Sequence, residues 1–357
     1  MKVLITAPSL DETRNVSGIS TVVRQIIEHS SRQFVHFQAG RGDGSPAGIL
    51  WILKQFTLPF RFFFSIRREK PDVVHINTSM TGLAICRDAA LVRAASFFRS
   101  RVVVMVHGGK YSSSPFISKT LERIADRMLR AADSVVVLRE AERDEFVQRW
   151  PDLKVRVLPN AVSTGDLPYV KHRNDPPVVV FLGRMHKSKG LNEIVEACQK
   201  LHHEGVEFEF KAYGDGPMRN LFVGEMERLL GSSFEFGGVV SGSDKWDKLA
   251  AADIFVLPTE FEGLSMAMLE ALAAGCIVVA SDIPSITSVI TNGVNGFLMA
   301  PKDSEALAAT LKQLLDDRDA WPPVQDAGQA TIRERFAIEE YVRKLDEIYL
   351  AAVGDRN

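Results

Sequence analysis

Short valine-rich runs alternate with helical patterns along almost the whole chain, and this alternation narrows the fold more than any other feature. Candidate strands fall at residues 2–7, 34–38, 72–77, 101–107, 133–138 and 154–158. They show little polar alternation, which is the pattern of parallel strands covered on both faces. A second series follows, with strands at 178–182, 208–213, 234–236 and 253–257 and helical patterns at 191–203, 218–230 and 245–251 between them. Each series reads as a doubly wound α/β layer. Ligands of such sheets bind beyond the carboxyl ends of the strands, so the turns at those ends are where chemistry is sought.

The chain has 357 residues, enough for two domains with full cores. The pattern lapses at 160–177, a stretch rich in proline, glycine and charge that reads as a linker. The expected division is residues 1–165 for the first domain and 175–335 for the second. A last amphipathic helix is expected over 338–353.

Net charge is only −2, but residues 1–130 carry 19 Lys/Arg against 9 Asp/Glu, whereas the remainder carries 24 against 36. A basic first half favours an anionic partner. Within it, residues 49–70 combine Trp51, Phe56, Phe60, Phe62, Phe63 and Phe64 with Lys54, Arg61, Arg67, Arg68 and Lys70. That is the composition of a helix lying in an anionic membrane interface; a core helix with solvated basic ends is the competing reading. Nucleic acid is disfavoured, because no recognised module accompanies the charge. No apolar run of about 20 residues is present, and the N-terminus is too short and strand-like for a signal peptide, so a cytoplasmic location is expected, peripheral at the inner face of the membrane. Cys86, Cys198 and Cys276 are far apart in apolar segments, which predicts reduced core thiols rather than a metal site or disulfides.

Neither G-x-G-x-x-G nor G-x-x-x-x-G-K-[ST] occurs, which removes support for ordinary dehydrogenases and NTPases. Five other stretches carry chemistry. The loop at 8–19 ends in Gly18, before a periodic helix; alone it is a helix-start turn. His107 closes the strand in VVVMVHGG, ahead of two glycines that let a ligand approach the backbone; a hydrogen-bonded strand-end histidine is equally consistent. His75, one strand over, reads as structural. The turn GRMHKSKG places Gly183, Arg184, Lys187 and Lys189 between a strand and a helix start, a cluster of cations suited to binding phosphate, unless the turn is merely solvated. YGDGP, with Gly214 and Gly216, is a tight turn at the same edge.

The fifth stretch is LPTEFEGLSMAMLEALAAGCIVVA, residues 257–280. It reads as a turn over 259–263 and a helix over 264–274, which offers the amides of Gly263, Leu264 and Ser265 to an anion between Glu262 and Glu270. Glu262 as a helix-dipole acid, and Glu270 as an exposed position with a lysine partner, are the alternatives.

Taken together, Gly18, VHGG at His107, GRMHKSKG, YGDGP and the E-x7-E pair of EGLSMAMLEALAAG span nearly the whole chain. In this combination the sequence resembles the retaining GT-B glycosyltransferases of family 4. The resemblance implies two Rossmann-like domains facing a central cleft, with acceptor on the first and a nucleotide-sugar donor on the second. By it, Arg184 and Lys189 neutralise the donor diphosphate, Glu262 contacts sugar hydroxyls and Glu270 the ribose. Gly183, Gly214 and the amides of residues 263–265 line the donor, His107 reaches the donor sugar and Gly18 closes over the phosphates. Many members read E-G-F-G where this chain has Glu262, Gly263, Leu264 and Ser265, a departure that implies a differently shaped sugar pocket with the amides kept. The last helix is expected to cross back onto the first domain.

No Asp-x-Asp sits at a strand end, so the expected enzyme is metal-independent, with no cofactor beyond a UDP-, GDP- or ADP-linked sugar as co-substrate. The expected acceptor is a lipid-linked or membrane-presented glycan in surface polysaccharide or glycolipid assembly. A nucleotide-sugar epimerase and a non-catalytic nucleotide-sugar-binding module are the alternatives from other classes.

Overall fold

A computed structural model describes residues 1–11, 15, 17–40, 49–109, 115–116, 118–164 and 174–354, with side chains of the 49–109 segment described from Thr57 onward. Parts of the expected 8–19 loop and 160–177 linker, together with the side chains of Lys54, Trp51 and Phe56, lie outside the described residues. The chain divides into two compact units, residues 1–161 with 338–357, and residues 162–337.

The first unit is a six-stranded sheet of β1 (Lys2–Ala7), β2 (Gln33–Gln38), β3 (Val73–Thr78), β4 (Arg101–Val106), β5 (Ser134–Val137) and β6 (Val155–Val157). Its helices are α1 (Gly18–His29), α2 (Ile49–Glu69), α3 (Gly82–Phe97), α4 (Lys119–Arg130) and α5 (Glu140–Arg149). The strands run parallel in the order β2-β1-β3-β4-β5-β6. Every residue of β3, β4 and β5 is buried, as expected of parallel strands with helices on both faces. Chain order reverses between β1 and β3, which opens a crevice at the carboxyl ends of these neighbours.

Helix α2 answers the question its composition leaves open. Leu58, Phe62 and Ile66, spaced at i, i+4 and i+8, are buried, and the Phe62 ring meets Phe37 edge-on at 4.8 Å. On its other side Phe60 and Phe64 are 70% and 65% exposed, flanked by exposed Arg61, Arg67 and Arg68. One face is therefore core, and the other is the aromatic and basic face.

The C-terminal helix, Ile338–Gly354, belongs to the first unit. Tyr349 Oη lies 2.6 Å from His75 Nδ1, the Tyr341 hydroxyl donates to Met105 Sδ at 3.4 Å, and Asp346 accepts two bonds from Arg32 at 2.6 and 2.7 Å. Among the described residues no helix is long and apolar enough to cross a membrane.

The second unit holds β7 (Val178–Leu182), β8 (Glu209–Tyr213), β9 (Phe234–Phe236), β10 (Ile254–Leu257), β11 (Ile277–Ser281) and β12 (Phe297–Met299). Its helices are α6 (Leu191–His203), α7 (Arg219–Leu230), α8 (Gly242–Ala250), α9 (Met266–Ala273), α10 (Pro284–Thr287), α11 (Ser304–Asp316) and α12 (Trp321–Arg335). This parallel sheet runs β12-β11-β10-β7-β8-β9 and reverses between β10 and β7. The core is aromatic on the β7–β9 side, where Phe181, Phe210 and Phe222 are buried together. The prediction of three core thiols needs correction at one position. Cys198 and Cys276 are buried, and Cys276 donates to the Leu249 carbonyl at 3.1 Å, but Cys86 lies on the solvent side of α3 and is exposed.

Candidate active site

In the second unit the reversal of strand order puts the turn after β7 beside the turn after β10. Glycine lets them touch. Gly190 adopts a left-handed φ of 71°, and a Cβ there would lie 2.0 Å from the Pro258 carbonyl oxygen. Two hydrogen bonds complete the junction: the Ser188 carbonyl accepts from Thr259 Oγ1 at 2.8 Å and from the Glu260 amide at 2.9 Å. Consequently Lys189 and Glu262, which are 73 positions apart, meet in a direct ion pair. Both are partly shielded from solvent, where such a pair interacts more strongly than at the open surface.

The turn after β8 docks against the same place. The Gly183 amide donates to the Tyr213 carbonyl at 3.0 Å and the Met185 amide to Asp215 at 2.9 Å. At Gly214 (φ 134°) a Cβ would come within 1.9 Å of the Gly183 carbonyl oxygen, so only glycine fits. Gly183, Lys189, Gly214 and Glu262 thus share one edge of one unit. Arg184 is exposed and has no ion-pair partner among the described residues, which leaves its guanidinium available to an anion.

Helix α9 starts later than its sequence pattern suggests. Ser265 is the N-cap and its hydroxyl accepts from the Met268 amide, so the first helical residue is Met266 rather than Leu264. A capping serine ahead of an apolar run is the stronger start signal. Gly263 and Leu264 therefore belong to the loop that enters the helix. Glu270 is 2% exposed, and Lys245 Nζ from α8 meets its Oε1 at 2.6 Å. A lysine partner was one expectation for an exposed Glu270; here the carboxylate is buried and its lysine comes from another helix. Nothing local in the sequence pairs these two, since 25 residues separate them.

In the first unit, His107 follows β4, with its amide bonded to the Thr78 carbonyl at 2.9 Å. Its Nε2 lies 2.6 Å from Asn77 Oδ1, and burial pushes its pKa down to about 4. His75 is fully buried, and burial together with the neighbouring His107 lowers its pKa to about 3, which fits the structural role expected of it. Gly18 is exposed and is the first residue of α1, behind the N-cap Ser17, whose hydroxyl accepts from the Ser20 amide. Asn77, Lys245 and Thr259 were not singled out by the sequence, because each acts through partners distant along the chain.

Two family models match the chain: the glycosyl transferase 4-like domain over residues 16–161 and glycosyl transferases group 1 over residues 176–317. Glycogen synthase of Mycobacterium tuberculosis is 25% identical over 80% of this chain and 70% of its own length. Among solved structures, sucrose-phosphate synthase from Thermosynechococcus elongatus superposes with a TM-score of 0.81 at 17% identity, covering 99% of this chain and 100% of its own. Anabaena HepE, solved with UDP and glucose, does so with a TM-score of 0.75 at 19% identity, covering 98% and 99%. Two doubly wound parallel units of this kind define the GT-B class of glycosyltransferases. More narrowly, the chain belongs to the group 1 glycosyltransferases of family-4 type and is an enzyme of the hexosyltransferase kind.

Proposed function

We propose that the enzyme is a retaining, metal-independent transferase that moves a sugar from a nucleoside-diphosphate sugar to an acceptor hydroxyl. The observation that carries this reading is the meeting of Lys189 and Glu262 at the strand-order reversal of the second unit, beside exposed Arg184. In the reaction the bond from the anomeric carbon to the diphosphate oxygen breaks, and its electron pair leaves with the diphosphate. The acceptor oxygen bonds the same carbon from the same face and gives its proton to the departing phosphate oxygen. Fixed positive charge aimed at that oxygen is the largest demand on the protein. Arg184, Lys189 and the amides of Gly263, Leu264 and Ser265 would supply it, with Gly183 and Gly214 letting the backbone approach. Glu262 would then release Lys189 to the diphosphate and take sugar hydroxyls. Glu270 would hold the ribose and His107 would face the sugar. The UDP-bound neighbour HepE supports a nucleotide-linked donor.

The acceptor assigned here is a lipid-linked or membrane-presented glycan. In support, Phe60, Phe64 and Phe97 are 70%, 65% and 74% exposed, and Phe63 joins Phe64 and Phe97 with ring centroids 5.8 Å from each. Arg61, Arg67 and Arg68 rim this aromatic patch, a composition suited to the inner, anionic face of a membrane.

Thermal-shift titration with UDP-, GDP- and ADP-sugars, followed by transfer assays on membrane extracts with and without chelator, tests the proposal. One nucleotide should raise the melting temperature. The product should keep the donor's anomeric configuration by NMR, and chelator should leave the rate unchanged. Loss of activity with chelator and recovery on adding a divalent ion would overturn metal independence. Conversion of the donor sugar without acceptor would identify an epimerase instead, and donor binding without turnover across the extracts a non-catalytic module.

A further inference from the structure

We propose that Asn77 is a positioning residue that fixes the proton of His107 on Nε2 and so presents Nδ1, as a neutral acceptor, to a hydroxyl of the carbohydrate substrate. The inference deepens the proposed function and rests on its assignment of His107 to the sugar.

The orientation of the Asn77 amide is settled by its other partners. Asn77 and Thr6 are both buried, Asn77 Nδ2 donates to the Thr6 carbonyl at 2.8 Å, and the backbone N–H of Asn77 donates to Thr6 Oγ1 at 3.0 Å. Turning the side chain over would set its oxygen against the Thr6 carbonyl, two acceptors with no proton between them. Asn77 Oδ1 is therefore what faces His107 Nε2 at 2.6 Å, and it can only accept. The imidazole must carry a proton on Nε2. A neutral imidazole has one N–H, so Nδ1 is left with a lone pair.

The surroundings keep the ring neutral. On β3, His75 is buried beside it and is itself held neutral, its Nδ1 meeting Tyr349 of the C-terminal helix. Burial raises the Tyr341 and Tyr349 phenols, so they too are uncharged. On α3, Asp88 is fully buried and committed to Arg87 through bonds of 2.7 and 2.9 Å. Among the described residues no carboxylate bonds His107 and favours its cation. Such an imidazole cannot serve as a proton donor at neutral pH through Nδ1, but it can accept from a sugar hydroxyl and hold that hydroxyl in place.

The test uses the full chain labelled with 15N-histidine. Imidazole 15N–1H correlations, assigned by loss of one set in His107→Gln, should show at pH 7 a protonated Nε2 and an unprotonated Nδ1. Asn77→Ala should lose this fixed tautomer. Asn77→Asp places a carboxylate against Nε2 and should raise the His107 pKa by about 1–3 units. The acid limb of kcat/KM should then move to higher pH by the same amount. Protonated Nδ1 in the unmodified protein at pH 7 overturns the proposal without needing any variant to fold. So does an acid limb that stays in place while the NMR titration of Asn77→Asp moves. A fixed tautomer with undiminished transfer by His107→Gln also overturns it, by removing the substrate contact. In that last case, unchanged stabilisation by nucleotide-sugar would show that the donor assignment in the second unit survives.

Discussion

Lys189 can reach Glu262 because the chain leaves β7, turns through Gly190 and lies against Pro258; the ion pair is a product of backbone contact before it is one of charge. In the proposed reaction the donor diphosphate, with its greater charge, draws the lysine away from the Glu262 carboxylate. Lys189→Ala should therefore lower kcat/KM for the nucleotide-sugar by about 100- to 1000-fold, the scale of removing one preorganised group that stabilises developing negative charge. Its effect on unfolding by urea should be modest, about 1–3 kcal/mol, because the Glu262 carboxylate left behind is largely but not wholly shielded from water. Equal loss of activity and stability would mark the pair as scaffolding. Lys245 differs, since it neutralises a carboxylate that is almost wholly enclosed. Lys245→Ala strands Glu270 as an unpaired buried charge and should destabilise the chain by about 3–5 kcal/mol. Lys245→Met combined with Glu270→Gln should recover part of that in the same urea experiment. The sequence made Lys189 and Glu262 visible, since each stands at a strand end in a short turn. It hid Lys245 and Asn77, whose partners are 25 and 30 residues away.

Helices show the same limit in another form. The strands were legible because full burial on two faces leaves a valine run, and α6 was legible because its apolar period and the preceding Gly190 agree. Helix α9 was misplaced at its start because Leu264 continues the apolar pattern, although Ser265 supplies the cap. Helix α2 could not be assigned to core or surface from composition, since phenylalanine occupies both of its faces. The two faces now make opposite predictions. Phe62→Ala removes a fully buried ring and should cost about 3–5 kcal/mol in chemical denaturation. Phe60→Ser with Phe64→Ser should change stability by less than about 1 kcal/mol in total, as exposed positions do. The same double variant should weaken sedimentation with phosphatidylglycerol vesicles. Undiminished vesicle binding would remove the membrane role of this face and leave its exposed rings without one.

Across the molecule, most strands of both sheets followed from alternation and periodicity, but the three-residue β12 is too short to show a period and was not expected. The order of the strands did not follow either, because register and neighbours are set by contacts that no local pattern records. That order is what gathers His75, Asn77 and His107 from two adjacent strands of the first unit, and it has a consequence for stability. His75 has an ordinary pKa of 6.5 when the chain is unfolded and about 3 when folded, mainly because burial disfavours its cation. Between those values the unfolded chain binds more protons than the native one, so native stability falls as pH falls. The loss begins below about pH 6.5 and approaches about 1.4 kcal/mol per pH unit from this residue alone. His36 and His107 are shifted in the same direction. Hydrogen exchange by mass spectrometry on the full chain should therefore show peptides of β3 and β4 losing protection between pH 7.5 and pH 5, after correction for the intrinsic exchange rate. His75→Gln offers the Tyr349 hydroxyl both a donor and an acceptor and removes the titrating group, so it should reduce that dependence. A pH profile of β3 and β4 protection identical in the variant would mean that protonation elsewhere governs the acid sensitivity of the first unit.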